Sequence, residues 1–276
     1  MGTPIPFEQL RAAVEEAGAL VRCGARRIRV VKQGQTPDGV LHPTTDLDRE
    51  VDDLLFRQMM RAFEDPGRVG YLTEERADDP SRLTRELVLI VDPIDGTRSV
   101  IQGRPEAAVS VALWARGDIV WGCVFNPFTQ ELFEARRGQG ARCGGAPIHA
   151  SGSSEVARAN LVLSRTEAET GRLDWLSGRV RFQTVGSIAY KMCLVAGGRA
   201  DGTFTPGRRH EWDIAAATLI VEEAGGRVTD GSGQPVRFNR EDPEIRGLVV
   251  SNTSLHDDLL SLVRESPWGV AARDLA

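Results

Sequence analysis

Lysine is almost missing from this chain: among 34 basic residues only Lys32 and Lys191 are lysine, and the rest are arginine. With 39 acids set against them the net charge is −5, so no positive excess marks a nucleic-acid surface. Cysteine is sparse too. Cys23, Cys123, Cys143 and Cys193 lie far apart, with no Cys-x-x-Cys pair and no histidine at zinc-ligand spacing. That pattern supports neither a disulfide framework nor a structural zinc site. The four histidines, His42, His149, His210 and His256, stand in polar or Gly/Pro-rich stretches, and no Gly-x-Ser-x-Gly elbow occurs. A Ser/His/Asp or Cys/His nucleophile is therefore disfavoured. No apolar run approaches the ~20 residues of a membrane-spanning helix. Met1–Arg11 has neither the basic start nor the apolar core of an export signal. A cytoplasmic protein is the expectation, with neither membrane nor nucleic-acid polymer as a partner.

What remains is a globular composition: 276 residues, 41% hydrophobic and 26% charged. Phe7, Leu10, Val14, Ala17 and Val21 recur at helical spacing, and Val51, Leu54, Leu55, Met59 and Phe63 form a second stripe that Thr45 can cap. Strands are expected at Ile28–Val31, Val69–Thr73 and Leu87–Val91. An antiparallel meander follows between Ala107 and Ala135, and a Gly-rich loop closes this half. That loop lacks the Gly-x-Gly-x-x-Gly pattern, because Cys143 takes the third position. Ser151–Ser154 marks a boundary, which suggests an N-terminal α+β domain over 1–150 and a C-terminal α/β domain over 151–276. In the second half strands alternate with helices, including one expected around Glu167–Leu176, others at Ser187–Ala196 and Asp213–Ala224, and a last at Leu255–Val263.

The densest chemistry is Asp92-Pro93-Ile94-Asp95-Gly96-Thr97, at the end of a buried strand. Two carboxylates leaving a sheet edge can converge on a hard cation in oxygen coordination. Pro93 stiffens the turn and leaves carbonyls free to ligate, and Gly96 lets backbone approach a ligand. Thr97 adds a hydroxyl and opens a stretch whose amides can hold a phosphate oxygen. Glu74 ends one strand, and Asp213 begins a helix.

Glu74-Glu75, Asp92 to Thr97 and Trp212-Asp213-Ile214-Ala215-Ala216, in this order and spacing, resemble the inositol monophosphatase superfamily. Glu134–Ala141 and Cys193–Asp201 match as well, so the resemblance runs over nearly the whole chain. It implies an α+β / α/β layered α-β-α-β-α sandwich (the sugar-phosphatase fold), a homodimer, and Mg²⁺-dependent, lithium-sensitive hydrolysis of a small phosphate monoester. By resemblance, Glu74, Asp92 and the Ile94 carbonyl hold one metal. Asp92, Asp95 and Asp213 hold a second, and Glu74 helps a third; Mn²⁺ can stand in. Asp46 matches the acid that bonds Thr97 and orients the attacking water, so Glu74, Thr97 and Asp46 form the expected catalytic set. Lys32 matches a lysine near the phosphate entrance, and Gly96, Thr97 and Ser187 fall among the phosphate- or substrate-binding positions.

Substrate choice is expected near Gly186–Lys191 and Pro206–Glu211. Inositol monophosphatases carry a glutamate seven residues before the Trp-Asp aspartate, and here that residue is Pro206. The Glu211-Trp212-Asp213 form, with Lys191 and Ser164-Arg165, resembles bacterial 3'(2'),5'-bisphosphate nucleotidases. Lys191, Arg208 and Arg209 would suit a second phosphate. A bisphosphate nucleotidase is thus the first expectation and inositol monophosphate the alternative, followed by fructose 1,6-bisphosphate or histidinol phosphate. A metal- or phosphate-binding regulator is the contrasting class.

Overall fold

The two N-terminal stripes form helices α1 (Phe7–Gly24) and α2 (Asp46–Ala62), which pack on each other through Leu10, Val14, Val21, Val51, Leu55 and Met59. The computed structural model describes residues 5–35 and 41–267. Between the helices, β1 (Val30–Gln35) and β2 (Leu41–Thr45) pair antiparallel. Thr45 caps α2 in a capping box with Asp48, the reciprocal Thr-x-x-Asp arrangement its spacing allows.

A seven-stranded sheet follows in sequence order: β3 (Val69–Thr73), β4 (Leu87–Asp95), β5 (Ala108–Ala115), β6 (Asp118–Asn126), β7 (Glu131–Arg136), β8 (Ala141–Cys143) and β9 (Ala146–Ile148). Only the β3–β4 pair is parallel. The meander is as expected, and the Gly-rich loop is a further hairpin, β8–β9. A short helix, α3 (Thr97–Ile101), leaves the end of β4.

The second sheet has the order β11-β10-β12-β14-β13. Its strands are β10 (Asn160–Ser164), β11 (Arg181–Val185), β12 (Gly202–His210), β13 (Gly226–Asp230) and β14 (Glu244–Asn252). Helices α4 (Arg165–Glu169), α5 (Ile188–Ala196), α6 (Glu211–Glu223) and α7 (His256–Arg264) connect or flank them. The helix expected around Glu167–Leu176 is instead α4 and a separate 3-10 turn at Asp174–Leu176. Arg172 N–H closes on Glu167 O at 2.9 Å, a C-terminal bond that stops the first segment.

Five layers result. α1 and α2 cover one face of the large sheet, and α5 and α6 lie between the two sheets. α7 covers the outer face of the small sheet with Leu255, Leu259 and Val263. The middle layer is apolar all round, as a helix buried on both faces must be: every residue of α5 is buried. α6 approaches β6 so closely that a Cβ on Gly122 would lie 2.6 Å from Ala216 O. This core continues across the break between β9 and β10, joining Val88, Ile90 and Ala112 to Ile214, Leu219 and Val250.

Candidate active site

The parallel β3–β4 register pairs Thr73 with Val91, so Glu74 and Asp92 are the next residues on adjoining strands. Further along β4 the pairing with β5 is irregular between Asp92 and Asp95. Pro93, which has no N–H to give the ladder, sits inside that irregularity. Asp92 Oδ1 accepts the Ile94 N–H at 3.0 Å, folding the turn back on itself. Gly96 then takes φ 96°, and a Cβ there would lie 2.8 Å from Glu106 O. Only glycine fits both constraints.

Asp95 is tied to the start of α5, where its Oδ2 accepts from Ser187 Oγ at 2.5 Å and from Ala189 N–H at 2.6 Å. Ser187 itself caps α5 and has φ 59°. Asp213, on the first turn of α6, spends Oδ2 on the His210 N–H at 2.8 Å. Its charge acts on Glu74, Asp92 and Asp95.

This gathering is electrostatically costly. Burial pushes the Asp92 carboxyl well above the usual carboxylate range, and Glu74, Asp95 and Asp213 push it further. Glu74 rises in the same way, through desolvation first and then Asp213; it lies at the rim, reached by solvent yet flanked by protein. Asp95 is raised to about 6 by burial, against the lowering effect of the Ser187 hydrogen bond. Each of these acids feels the charge of others in the set, although among the described residues no three are gathered closely enough to hold a metal ion as they stand. Their chemistry is that of a hard-cation site: carboxylate oxygens and a neighbouring carbonyl, with no sulfur or imidazole.

Thr97 corrects one expectation. Its Oγ1 lies 2.7 Å from Asp48 Oδ1 and 3.0 Å from Ile94 O, so its carboxylate partner is Asp48 rather than Asp46. Asp46, one position into α2, is turned toward β1 and accepts the Arg29 N–H at 2.9 Å. The capping box explains the difference, since it turns Asp48 back over Thr45 and buries it. Thr45 N–H and Oγ1 both donate to Asp48 Oδ2, leaving Oδ1 for Thr97. Burial raises the Asp48 carboxyl, and the bonds from Thr45 and Thr97 oppose the rise.

The residues expected to hold a second phosphate divide. Arg208 is not aimed at the site, because its Nη1 grips both oxygens of Glu244 on β14 at 2.7 and 2.8 Å. Glu211 is not a substrate contact either. It is fully buried and holds the loop before β14, accepting Asn239 N–H at 2.6 Å and Arg240 N–H at 2.9 Å. Arg209 points to the opposite side of β12 from Arg208 and donates to Thr205 Oγ1 at 2.9 Å. Lys191 is no surface charge: it is 3% exposed, and burial pushes its ammonium down to about 8. The Lys32 side chain lies outside the described residues, and its backbone pairs with Thr44.

Two acids that the motifs did not single out also stand here. Glu167, on α4, accepts from Thr205 Oγ1 at 2.6 Å and flanks Pro206. Glu106 receives the Arg165 guanidinium and the Gly186 N–H (2.8 Å), which fixes the loop before Ser187.

Comparison with known proteins agrees with this layout. A model described as "Inositol monophosphatase family" matches residues 6–267. An inositol monophosphatase of Mesembryanthemum crystallinum is 32% identical over 279 residues, covering 96% of this chain and all of that relative. Among solved structures, the extragenic suppressor protein suhB of Bartonella henselae superposes with TM-score 0.80 at 26% identity, over 94% of this chain and 98% of that one. An IMPase of Thermotoga maritima gives 0.79 at 27%, over 94% and 96%.

Proposed function

Since the chain belongs to the inositol monophosphatase family, and is thereby a phosphoric monoester hydrolase, we propose that it hydrolyses the phosphate of a small polyol, inositol monophosphate first among them, with Mg²⁺. The observation that carries this reading is the crowding of Glu74, Asp92, Asp95 and Asp213, whose mutual repulsion, with the burial of Asp92 and Asp95, calls for divalent charge. Those four side chains and the Ile94 carbonyl are the proposed ligands. Two or three ions, with Mn²⁺ as a substitute, are part of the proposal, as are lithium inhibition, a homodimer and the division at residue 150.

Bound there, magnesium supplies the charge that makes water nucleophilic at neutral pH and stabilises the departing alkoxide. The chain does the positioning. Asp48 takes the Thr97 hydroxyl proton in a hydrogen bond at 2.7 Å, so the Thr97 lone pairs can accept from the attacking water and aim it. Gly96 keeps that turn open for a phosphate, and Ser187 fixes Asp95. With no phosphoenzyme needed, neither histidine nor cysteine has to stand nearby.

A bisphosphate nucleotide is the weaker candidate, because Arg208 is committed to Glu244, Glu211 is committed to a loop, and Lys191 is buried beside an acid. The test is Mg²⁺-dependent phosphate release from inositol 1-phosphate, adenosine 3',5'-bisphosphate, fructose 1,6-bisphosphate and histidinol phosphate. The expected result is the highest kcat/KM on inositol 1-phosphate. Preference for the adenosine bisphosphate would overturn the polyol reading, and no release from any would overturn the placement of the site.

A further inference from the structure

Arg82 is the only arginine buried among the described residues, at 1% exposure. It lies on the 3-10 turn Pro80–Thr84, which packs along β3 so tightly that a Cβ on Gly70 would come within 2.7 Å of the Arg82 Cβ. Its guanidinium is spent in two directions. Nε and Nη2 donate to the two oxygens of Asp78 at 2.6 and 2.9 Å. Nη1 and Nη2 also reach across to the later half of the chain, donating to Asn239 Oδ1 and to Arg240 O, each at 2.7 Å.

The same two residues are gripped from α6. Glu211, fully buried, accepts the Asn239 N–H at 2.6 Å and the Arg240 N–H at 2.9 Å on separate oxygens. Its own N–H donates to Pro243 O at 3.0 Å. Asn239 takes φ 58° between them, a left-handed conformation that asparagine tolerates better than most side chains. A buried cation from the turn after β3 and a buried acid from the first turn of α6 thus close on one loop.

Both anchors stand beside proposed ion ligands. Glu74 follows β3 directly, and Asp213 is two residues beyond Glu211 on α6. These two acids come from different halves of the chain and repel each other. Without an ion, that repulsion favours parting the end of β3 from the start of α6. Charge-assisted hydrogen bonds are the stronger class and resist such parting. A site already held at its working span binds more tightly, because less ordering remains to be done.

We propose that Arg82, Asn239 and Glu211 form a clasp that sets the span between Glu74 and Asp213, which makes them positioning residues for ion capture. This rests on the metal-dependent hydrolase reading above and adds to it residues outside the ligand set.

The experiment measures Mn²⁺ binding by isothermal titration calorimetry, beside the urea stability of the ion-free protein and the KM for inositol 1-phosphate at saturating Mg²⁺. Asn239→Gly keeps the left-handed backbone and the N–H that Glu211 accepts, and removes the side-chain oxygen that Arg82 holds. Arg82→Lys keeps the charge but cannot bond Asp78 and the loop together. Glu211→Gln removes the charge and keeps the shape. Each is expected to weaken Mn²⁺ binding about tenfold or more, the usual loss when the support of a metal site is removed. KM at saturating ion should stay within about threefold. Lost stability with Mn²⁺ affinity unchanged would overturn the clasp's role, since a purely structural contact gives that result. So would a rise in KM as large as the rise in the ion's dissociation constant. If the other two variants do not fold, Asn239→Gly decides alone. An unmodified protein that takes up no Mn²⁺ would instead overturn the metal reading itself, before any variant is compared.

Discussion

Two aspartates at the same end of the large sheet are equally buried, and the chain treats them in opposite ways. Asp52, at 2% exposure, accepts from Tyr71 (3.1 Å), Thr73 (2.8 Å) and the Arg76 guanidinium. Asp92, also at 2%, has one backbone N–H and a ring of further acids. The chain thus carries a guanidinium within reach of one buried acid and withholds it from the other. Asp52 anchors the loop after β3 through Arg76, which also lies over the Phe56 ring and reaches Asp53. Asp92 is left with a deficit of positive charge that a ligand can fill.

The sharpest way to break this contrast is to neutralise each acid. Asp92→Asn should cost at least ~10³-fold in Mg²⁺-dependent kcat, or about 4 kcal/mol of barrier, while raising the melting temperature of the metal-free protein by removing repulsion. Asp52→Ala should do the reverse, lowering stability by about 2–3 kcal/mol through its orphaned hydroxyls and changing kcat less than tenfold. Phosphate release and urea unfolding on both variants decide it. If Asp92→Asn destabilises as Asp52→Ala does, the two sites are not opposites.

A smaller effect separates the two acids at the start of α2. Asp48→Asn should lower kcat by ~10²-fold with KM little changed, because Thr97 loses its carboxylate partner. Asp46→Asn should stay within about twofold. Steady-state kinetics on both check the reassignment from Asp46 to Asp48.

The smallest effect is in the pH dependence of stability after metal removal with EDTA. Asp95 titrates near 6 in the folded chain against 3.8 ordinarily, so the native state holds an extra proton between those values. Stability from that group is present below about 3.8 and is lost as pH rises through 6. Buried His256, between Thr229 and Ser251 hydroxyls, is pushed down to about 4 from 6.5. It acts oppositely: its stability is present above 6.5 and is lost as pH falls toward 4. Between about pH 4 and 6 the two slopes oppose each other, so urea unfolding from pH 4 to 8 should show stability falling more steeply with rising pH in His256→Asn and rising more steeply in Asp95→Asn, each by on the order of 1 kcal/mol across that window.

Much of this was legible in the residues themselves. Val69–Thr73 and the Ala107–Ala135 meander follow from apolar runs and turn residues, and the Asp92–Thr97 turn announces itself by composition. β13 did not, since Arg227 and Asp230 dilute its pattern and few of its side chains are buried. Asp48 was recoverable, because the Thr45-x-x-Asp48 spacing is a capping signature that turns that side chain back toward the cap. Glu167 was not: its burial arises only when α4 meets Thr205 and Arg209 on a distant strand. Arg208 and Arg209 look alike in the sequence, and strand alternation alone sends one to Glu244 and the other inward.

The parallel pairing of β3 with β4 carries one more implication. Glu74 and Asp92 become neighbours when that pair forms, but Asp213 joins them only after α6 from the later half has docked against β4, β5 and β6. On the proposed ligand set, an emerging polypeptide would therefore lack one of its four acids until its closing segments are seated. If the four acids bind ions as proposed, full capture would report finished assembly, and the stabilisation it brings would be greatest for the completed fold.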